Sequence, residues 1–172
     1  MPKPLQPHEI VASLHKTPAV LRTLLHPLPS EMFTWHPTPG KWCINEVVGH
    51  LIEADRHDFM GRVRLILDHE EPRLTVSDQG EVARMRHDCG HDLNELLDEL
   101  SQQRSRSLSF ITMFGDKALQ RGGMHPTIGH LDIGNLLHEW VYHDMNHIRQ
   151  IAANVQGFLW EHLGNMQRFY QP

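Results

Sequence analysis

Cysteine is scarce in this chain of 172 residues: only Cys43 and Cys89 are present, and no CxxC pair exists. Neither a disulfide framework nor a thiolate zinc site is indicated. No apolar run approaches the roughly 20 residues of a membrane span, and Met1-Pro2-Lys3-Pro4-Leu5-Gln6-Pro7 puts prolines where a signal peptide needs an apolar core. A cytoplasmic protein with no membrane partner is the expectation. Basic charge is also short, with 16 Lys and Arg against 21 Asp and Glu for a formal charge of -5. No basic run could follow a phosphate backbone, so nucleic acid is not expected as a partner. Repeats, low-complexity tracts and composition shifts are missing too, which predicts one domain over residues 1–172.

Alternating strand patterns are lacking, whereas apolar residues recur at helical spacing throughout. Four main helices are predicted. The first covers roughly Pro7 to His26, with Thr17-Pro18 marking either a kink or a break. The second starts after Trp42 and runs towards Asp68, with Val47, Leu51, Phe59, Val63, Ile66 and Leu67 as its apolar positions and Pro72 barring continuation. A third begins near Ser77 or Asp78, carries Leu93, Leu96, Leu97, Leu100, Leu108 and Ile111, and stops by Gly115. A loop with Gly122-Gly123, Pro126 and Gly129 leads to a fourth helix, capped by Asp132 and running from Ile133 to about Val155, before Gly157. The remainder, with Phe158, Trp160, Phe169 and Tyr170, is expected to fold back on the bundle.

Histidine is abundant, with 15 residues, and His143-Asp144-Met145-Asn146-His147 places two imidazoles four residues apart on the fourth helix. Positions i and i+4 lie within about 40° of each other and one turn apart, so both rings can reach one ion. The pair alone also suits hydrogen-bonded helix histidines with no metal. Glu139 and Gln150 flank the same stripe and are candidates to orient an imidazole. His138 lies about 140° from His143 and is expected on the surface.

The candidate third ligand is His50, set in the apolar run of the second helix. It lies about 9 Å from that helix's start, whereas His147 lies about 21 Å into the fourth, at ~1.5 Å per residue. A shared ion therefore requires helices two and four to run antiparallel. A plain up-down-up-down bundle makes them parallel, so the fold expected is an all-α four-helix bundle with a crossover connection. The stretch from Pro27 to Trp42 is long enough to cross a bundle end, but the sequence does not choose which connection crosses.

Three segments carry a family resemblance: Thr34-Trp35-His36-Pro37-Thr38-Pro39-Gly40-Lys41-Trp42, Asn45-Glu46-Val47-Val48-Gly49-His50-Leu51, and His143-Asp144-Met145-Asn146-His147-Ile148-Arg149-Gln150-Ile151. In order and separation they resemble the DinB-like superfamily. The resemblance implies a four-helix bundle of unusual connectivity, a zinc or nickel ion on His50, His143 and His147 with open water positions, and frequent homodimers. It also implies activity on small molecules, with S-transfer from a low-molecular-weight thiol to an electrophile placed ahead of hydrolysis. A non-catalytic, stress-associated metal-binding module is a further reading. Cys43 departs from the family, which usually has Ser or Thr opening the second helix, and weakens the expected capping box with Glu46.

Three neutral imidazoles leave a divalent ion with open positions, as in catalytic rather than structural zinc sites. Such an ion can bind a thiolate or acidify a bound water. No catalytic side chain beyond the ligands is readable. His57, about 10 Å beyond His50, is placed at a pocket mouth. Arg104 interrupts a leucine stripe, pointing either to a pocket anion or out to solvent. Glu53 and Asp55 are expected on a solvated face.

Overall fold

The structure is a computed structural model and describes residues 3–170. Residues 1, 2, 171 and 172 of the expected 1–172 domain, and so the start of the N-terminal segment, lie outside the described residues. Four long helical segments form the bundle. The first, α1, spans Pro7–Leu25 without interruption. Pro18 lies inside it, and the Thr17 hydroxyl caps nothing, donating instead to Asp144 Oδ2 at 2.6 Å on the last helix. Of the expected kink or break, the break is excluded: the helix is one, with the polar group at its middle paired across the bundle.

The second segment follows the predicted path but is not uniform. It comprises α2 (Ile44–Glu53), a π-helical turn over Ala54–Phe59, and α3 (Met60–Asp68). The wider turn inserts extra backbone and rotates the residues within it relative to an unbroken α-helix. Asp55, expected on a solvated face, is fully buried, on the same helix face as Val48, Leu51 and Ile52.

The predicted third helix is two. Helix α4 (Gln79–Arg86) ends where His87 adopts φ 55°, and α5 (Leu93–Ile111) starts afresh under an Asp92 cap that accepts from Asn94 N and Glu95 N. Apolar spacing does not register a left-handed residue followed by a new cap. After the short helix α6 (Asp116–Leu119), the expected loop folds as an antiparallel hairpin, β1 (Gly122–His125) with β2 (Gly129–Asp132), Met124 facing His130. Four-residue strands are too short to display alternation.

The last helix, α7, runs from Ile133 to Trp160, capped by Asp132 as predicted. It continues past Gly157, which is a close-approach position and not a terminator. A Cβ there would stand 2.9 Å from Trp35 Cη2. Of the aromatic residues expected to fold back, Phe158 and Trp160 lie within α7 and are half-buried, Phe158 against the core, whereas Phe169 and Tyr170 beyond it are exposed.

Cross-bundle contacts fix the topology. Trp42 O accepts from Asn154 Nδ2, His50 meets His143, and Phe59 stacks on Trp140 at 4.7 Å, so α2–α3 descends as α7 ascends. Arg22 pairs with Asp98, and Leu14 O accepts from Arg104, making α1 and α5 antiparallel. Asn45 reaches His91 O while Asp55 reaches Arg104, making α2 and α5 parallel. Helices α1 and α2 each pack on α5 and α7 and lie diagonally opposite. The α1–α2 link thus crosses a bundle end, and residues 69–92 return along the bundle so that α5 runs parallel to α2. This is the four-helix bundle with crossover, its second and last segments antiparallel.

Two apolar clusters fill the bundle. One gathers Leu14, Phe59, Leu108 and Trp140, the other Leu21, Leu51, Leu100 and Ile151. Between their levels sits a polar layer of Thr17, Asp55, Arg104, Ser107 and Asp144, all buried. His143 and His147 flank Asp144 in sequence, so they lie at the edge of this layer.

Candidate metal centre

Each histidine is placed by the helix that carries it. His50 occupies the second turn of α2, while His143 and His147 share one face of α7 one turn apart. One nitrogen from each lies within 4.8 Å of the others. His50 Nε2 and His143 Nε2 are 3.1 Å apart, and the ring centroids are separated by 4.4 to 5.1 Å. Trp42 lies 4.9 Å from the His50 ring and Phe59 lies 5.3 Å from that of His143, so aromatic walls bound the cluster on two sides.

Hydrogen bonds stand behind two of the three rings, those of His50 and His147. Gln79 Nε2 donates to Asp58 Oδ2 at 2.5 Å, and a carboxylate oxygen only accepts, so the Gln79 amide is oriented. Its Oε1 then faces His50 Nδ1 at 3.1 Å, which must donate, and Nε2 is left as a bare lone pair. His147 Nδ1 stands 2.8 Å from Gln150 Oε1 in the same relation. His143 Nδ1 is buried without a partner among the described residues. A divalent cation fits this donor set, because the His50 Nε2 lone pair faces the His143 and His147 rings within a largely buried cluster of three imidazoles.

Electrostatics agree. Burial, reinforced by the neighbouring imidazoles, lowers the pKa of His50 to about 4 and that of His143 to about 3; burial lowers His147 as well. All three are neutral, ligand-competent bases at pH 7. Behind them Arg104 donates to Asp144 through Nη1 at 2.6 Å and Nη2 at 3.1 Å, and to Asp55 through Nε at 2.8 Å. One guanidinium between two carboxylates carries a formal charge of -1, and at the rings the two signs compete: Asp144 favours positive charge at His147, whereas Arg104 opposes it at His143.

Arg104 therefore points neither to a pocket anion nor to solvent; it is 1% exposed, beneath the histidines. Gln150, a candidate to orient an imidazole, lies 2.8 Å from His147 Nδ1. Glu139 is exposed along α7 and makes no hydrogen bond to the histidines; partial burial raises its carboxyl, opposed by Arg62. His57 is exposed, 3.3 Å from Glu53, and lines a cleft of about 620 Å³ shared with Asp58 and Gln79. Glu53 is only 13% exposed and bonds Arg56 and Arg86, another departure from the expected solvated face. His138, expected on the surface, is half-buried, with Nδ1 at 2.8 Å from Gly134 O, and stays apart from the triad. Sequence reasoning missed Gln79 and Asp58. Asp58 follows His50 by two helical turns, but Gln79 arrives on a separate short helix and left no local signal.

A sequence model of the DinB superfamily matches residues 13–151, which include all three histidines. The chain belongs to the DinB superfamily. It is similar to a protein of Oceanobacillus iheyensis named "Putative metal-dependent hydrolase OB0782", 20% identical over 146 residues that cover 85% of this chain and 84% of the relative. The fold is similar to that of YfiT from Bacillus subtilis, with a TM-score of 0.80 over 91% of both chains at 22% identity. YfiT is described as a probable metal-dependent hydrolase with an unusual four-helix bundle topology. Within the DinB superfamily, then, this chain carries the crossover bundle together with a converged histidine triad.

Proposed function

We propose that this DinB-superfamily protein is a metal-dependent hydrolase of small molecules, with a zinc or nickel ion held by Nε2 of His50, His143 and His147. The observation that carries the reading is the tautomer of His50: Gln79, oriented by Asp58, leaves its Nε2 lone pair aimed at the other two rings. The relative's name supports hydrolysis. When bound, such an ion supplies Lewis acidity and lowers the pKa of a coordinated water towards neutrality. The protein's own residues do the rest: Gln79 and Gln150 orient the imidazoles, the Arg104 network fixes the helix behind them, and Trp42 and Phe59 exclude water from two sides.

Thiol transfer to an electrophile is the second reading. Three neutral donors leave the ion its full double charge and open positions, which suit a thiolate as well as water. The cleft near His57 weighs against an anionic thiol, since Arg62 in its lining is already paired with Asp58. The test is turnover of ester, amide and electrophile panels by zinc- and nickel-loaded protein, with and without low-molecular-weight thiols. Metal-dependent hydrolysis lost in His143→Ala is expected. Turnover only with thiol would replace hydrolysis by S-transfer, and no turnover at full metal occupancy would favour a binding module.

A further inference from the structure

The described residues contain a second convergent donor set, one helical turn before His50. Sγ of Cys43, Sγ of Cys89, a ring nitrogen of His36 and a carboxylate oxygen of Glu46 all lie within 4.8 Å of one another. Three segments supply them. His36 comes from the link between α1 and α2, Cys43 and Glu46 from the cap and first turn of α2, and Cys89 from the turn between α4 and α5. Cysteines so far apart in sequence leave no motif, yet the crossover topology brings them together.

These segments are anchored independently of any ion. Asn45 N donates to Phe33 O at 3.1 Å, which docks the stretch leading to His36. Asn45 Nδ2 donates to Cys89 O at 3.4 Å and His91 O at 2.8 Å, which docks the turn carrying Cys89. The same turn seats Asp88 where Gly49 has no side chain. Within the cluster, Glu46 Oε2 accepts from Cys43 N at 2.8 Å and stands 3.0 Å from His36 Nε2; Cys89 Sγ lies 4.0 Å from that nitrogen. Cys43 is buried, Cys89 and Glu46 are half-buried, and His36 is exposed, so the cluster opens to solvent on one side.

We propose that His36, Cys43, Glu46 and Cys89 form a second, structural metal site that takes a zinc ion. Two sulfurs with one nitrogen and one oxygen suit zinc's borderline softness. In a tetrahedral zinc site donor atoms stand about 3.3–3.8 Å apart, so closure needs movements of roughly 1 Å. The exposed imidazole and the turn bearing Cys89 can make them. Loading releases two thiol protons to solvent and forms two zinc–sulfur bonds with no change of oxidation state. Four protein donors leave no open position, so this ion ties the crossing link and the return connection to the helix that presents His50, and does no chemistry.

The test is a cobalt titration of the metal-free full-length chain under anaerobic, reducing conditions. Cobalt bound by sulfur gives near-ultraviolet charge-transfer absorption that a three-histidine site cannot produce. The absorption is expected in the wild type, in His143→Ala/His147→Ala, and not in Cys89→Ser. Zinc is expected to slow modification of both cysteines by a thiol reagent at least tenfold. Saturation of the wild type without charge-transfer absorption would overturn the proposal, as would an undiminished band in Cys89→Ser. Should the double histidine variant fail to fold, the wild-type titration decides alone, because its signal comes from sulfur.

Discussion

Gln79 holds His50 by Nδ1 across 3.1 Å, and it does so from a helix that belongs to the return connection of the bundle. The site's ligand geometry therefore depends on a segment that contributes no ligand. Removing such an orienting partner typically costs 10–100-fold in metal affinity. Gln79→Ala is expected to weaken zinc binding within that range, measured by competition with a chromophoric chelator, while circular dichroism stays at the wild-type level. Unchanged affinity would separate Gln79 from the metal site.

His143→Ala is expected to reduce metal content far below one ion per chain at the triad, because two remaining imidazoles cannot hold the ion against buffer ligands. Stripping the wild type with a chelator should lower its melting temperature. A free ion at 100 times its dissociation constant contributes about 2.7 kcal/mol to the folded state. Calorimetry with and without chelator checks this, and His143→Ala should show the smaller shift. Equal shifts in both proteins would count against the triad as the site of that ion.

Periodicity and caps made much of the fold legible. The Asp132 cap, the apolar spacing of α2 and α5, and the depth of His50 against that of His147 were enough to demand antiparallel segments and a crossover. Features that depend on distant partners were not legible. Asp55 shares a helical face with Val48, Leu51 and Ile52, but its acidic type reads as solvated until its partner is known, and nothing around Arg104 announces two carboxylates from other helices. Cys43 and Cys89 read as isolated thiols because spacing rules detect only ligands close in sequence, whereas the return connection sets theirs.

Arg104 is the centre of the buried polar layer, bonded to Asp55, Asp144 and the Leu14 carbonyl. Its loss leaves two carboxylates in an apolar environment without a counter-charge. Arg104→Met is expected to destabilise the protein by about 3–5 kcal/mol, the range for breaking one partner of a buried ion pair. Denaturant unfolding measures it. Restoring neutrality with Asp55→Asn and Asp144→Asn in the same chain should recover part of the loss, which a purely steric role for Arg104 would not allow.

Gly49 lies beside His50 in α2, and a Cβ there would fall 1.8 Å from Asp88 Oδ2 and 2.4 Å from its Cγ. Asp88 is itself buried and held by Arg86 at 2.6 Å, so it has little room to retreat. Alanine normally favours a helix over glycine by about 1 kcal/mol. Here the overlap should reverse the sign, and Gly49→Ala is expected to cost about 2 kcal/mol or more by the same unfolding measurement. A stabilised variant would mean that the turn carrying Asp88 is not seated on α2.

Acid should weaken the metal-free protein through the histidines before it titrates most carboxylates. Burial, with the neighbouring rings, depresses His50 to about 4 and His143 to about 3, and burial depresses His147, from an ordinary value near 6.5. Below pH 6.5 the unfolded chain takes up protons that the folded chain refuses, so stability falls with falling pH. The loss runs from about pH 6.5 down to about pH 3, and these groups add nothing further once both states are protonated. In the loaded protein the ion competes with the same protons, and metal release adds to the slope. Melting temperature against pH should therefore fall more steeply for metal-loaded than for metal-free wild type, and least steeply for His143→Ala/His147→Ala. A variant with the wild-type slope would place the acid sensitivity outside the triad.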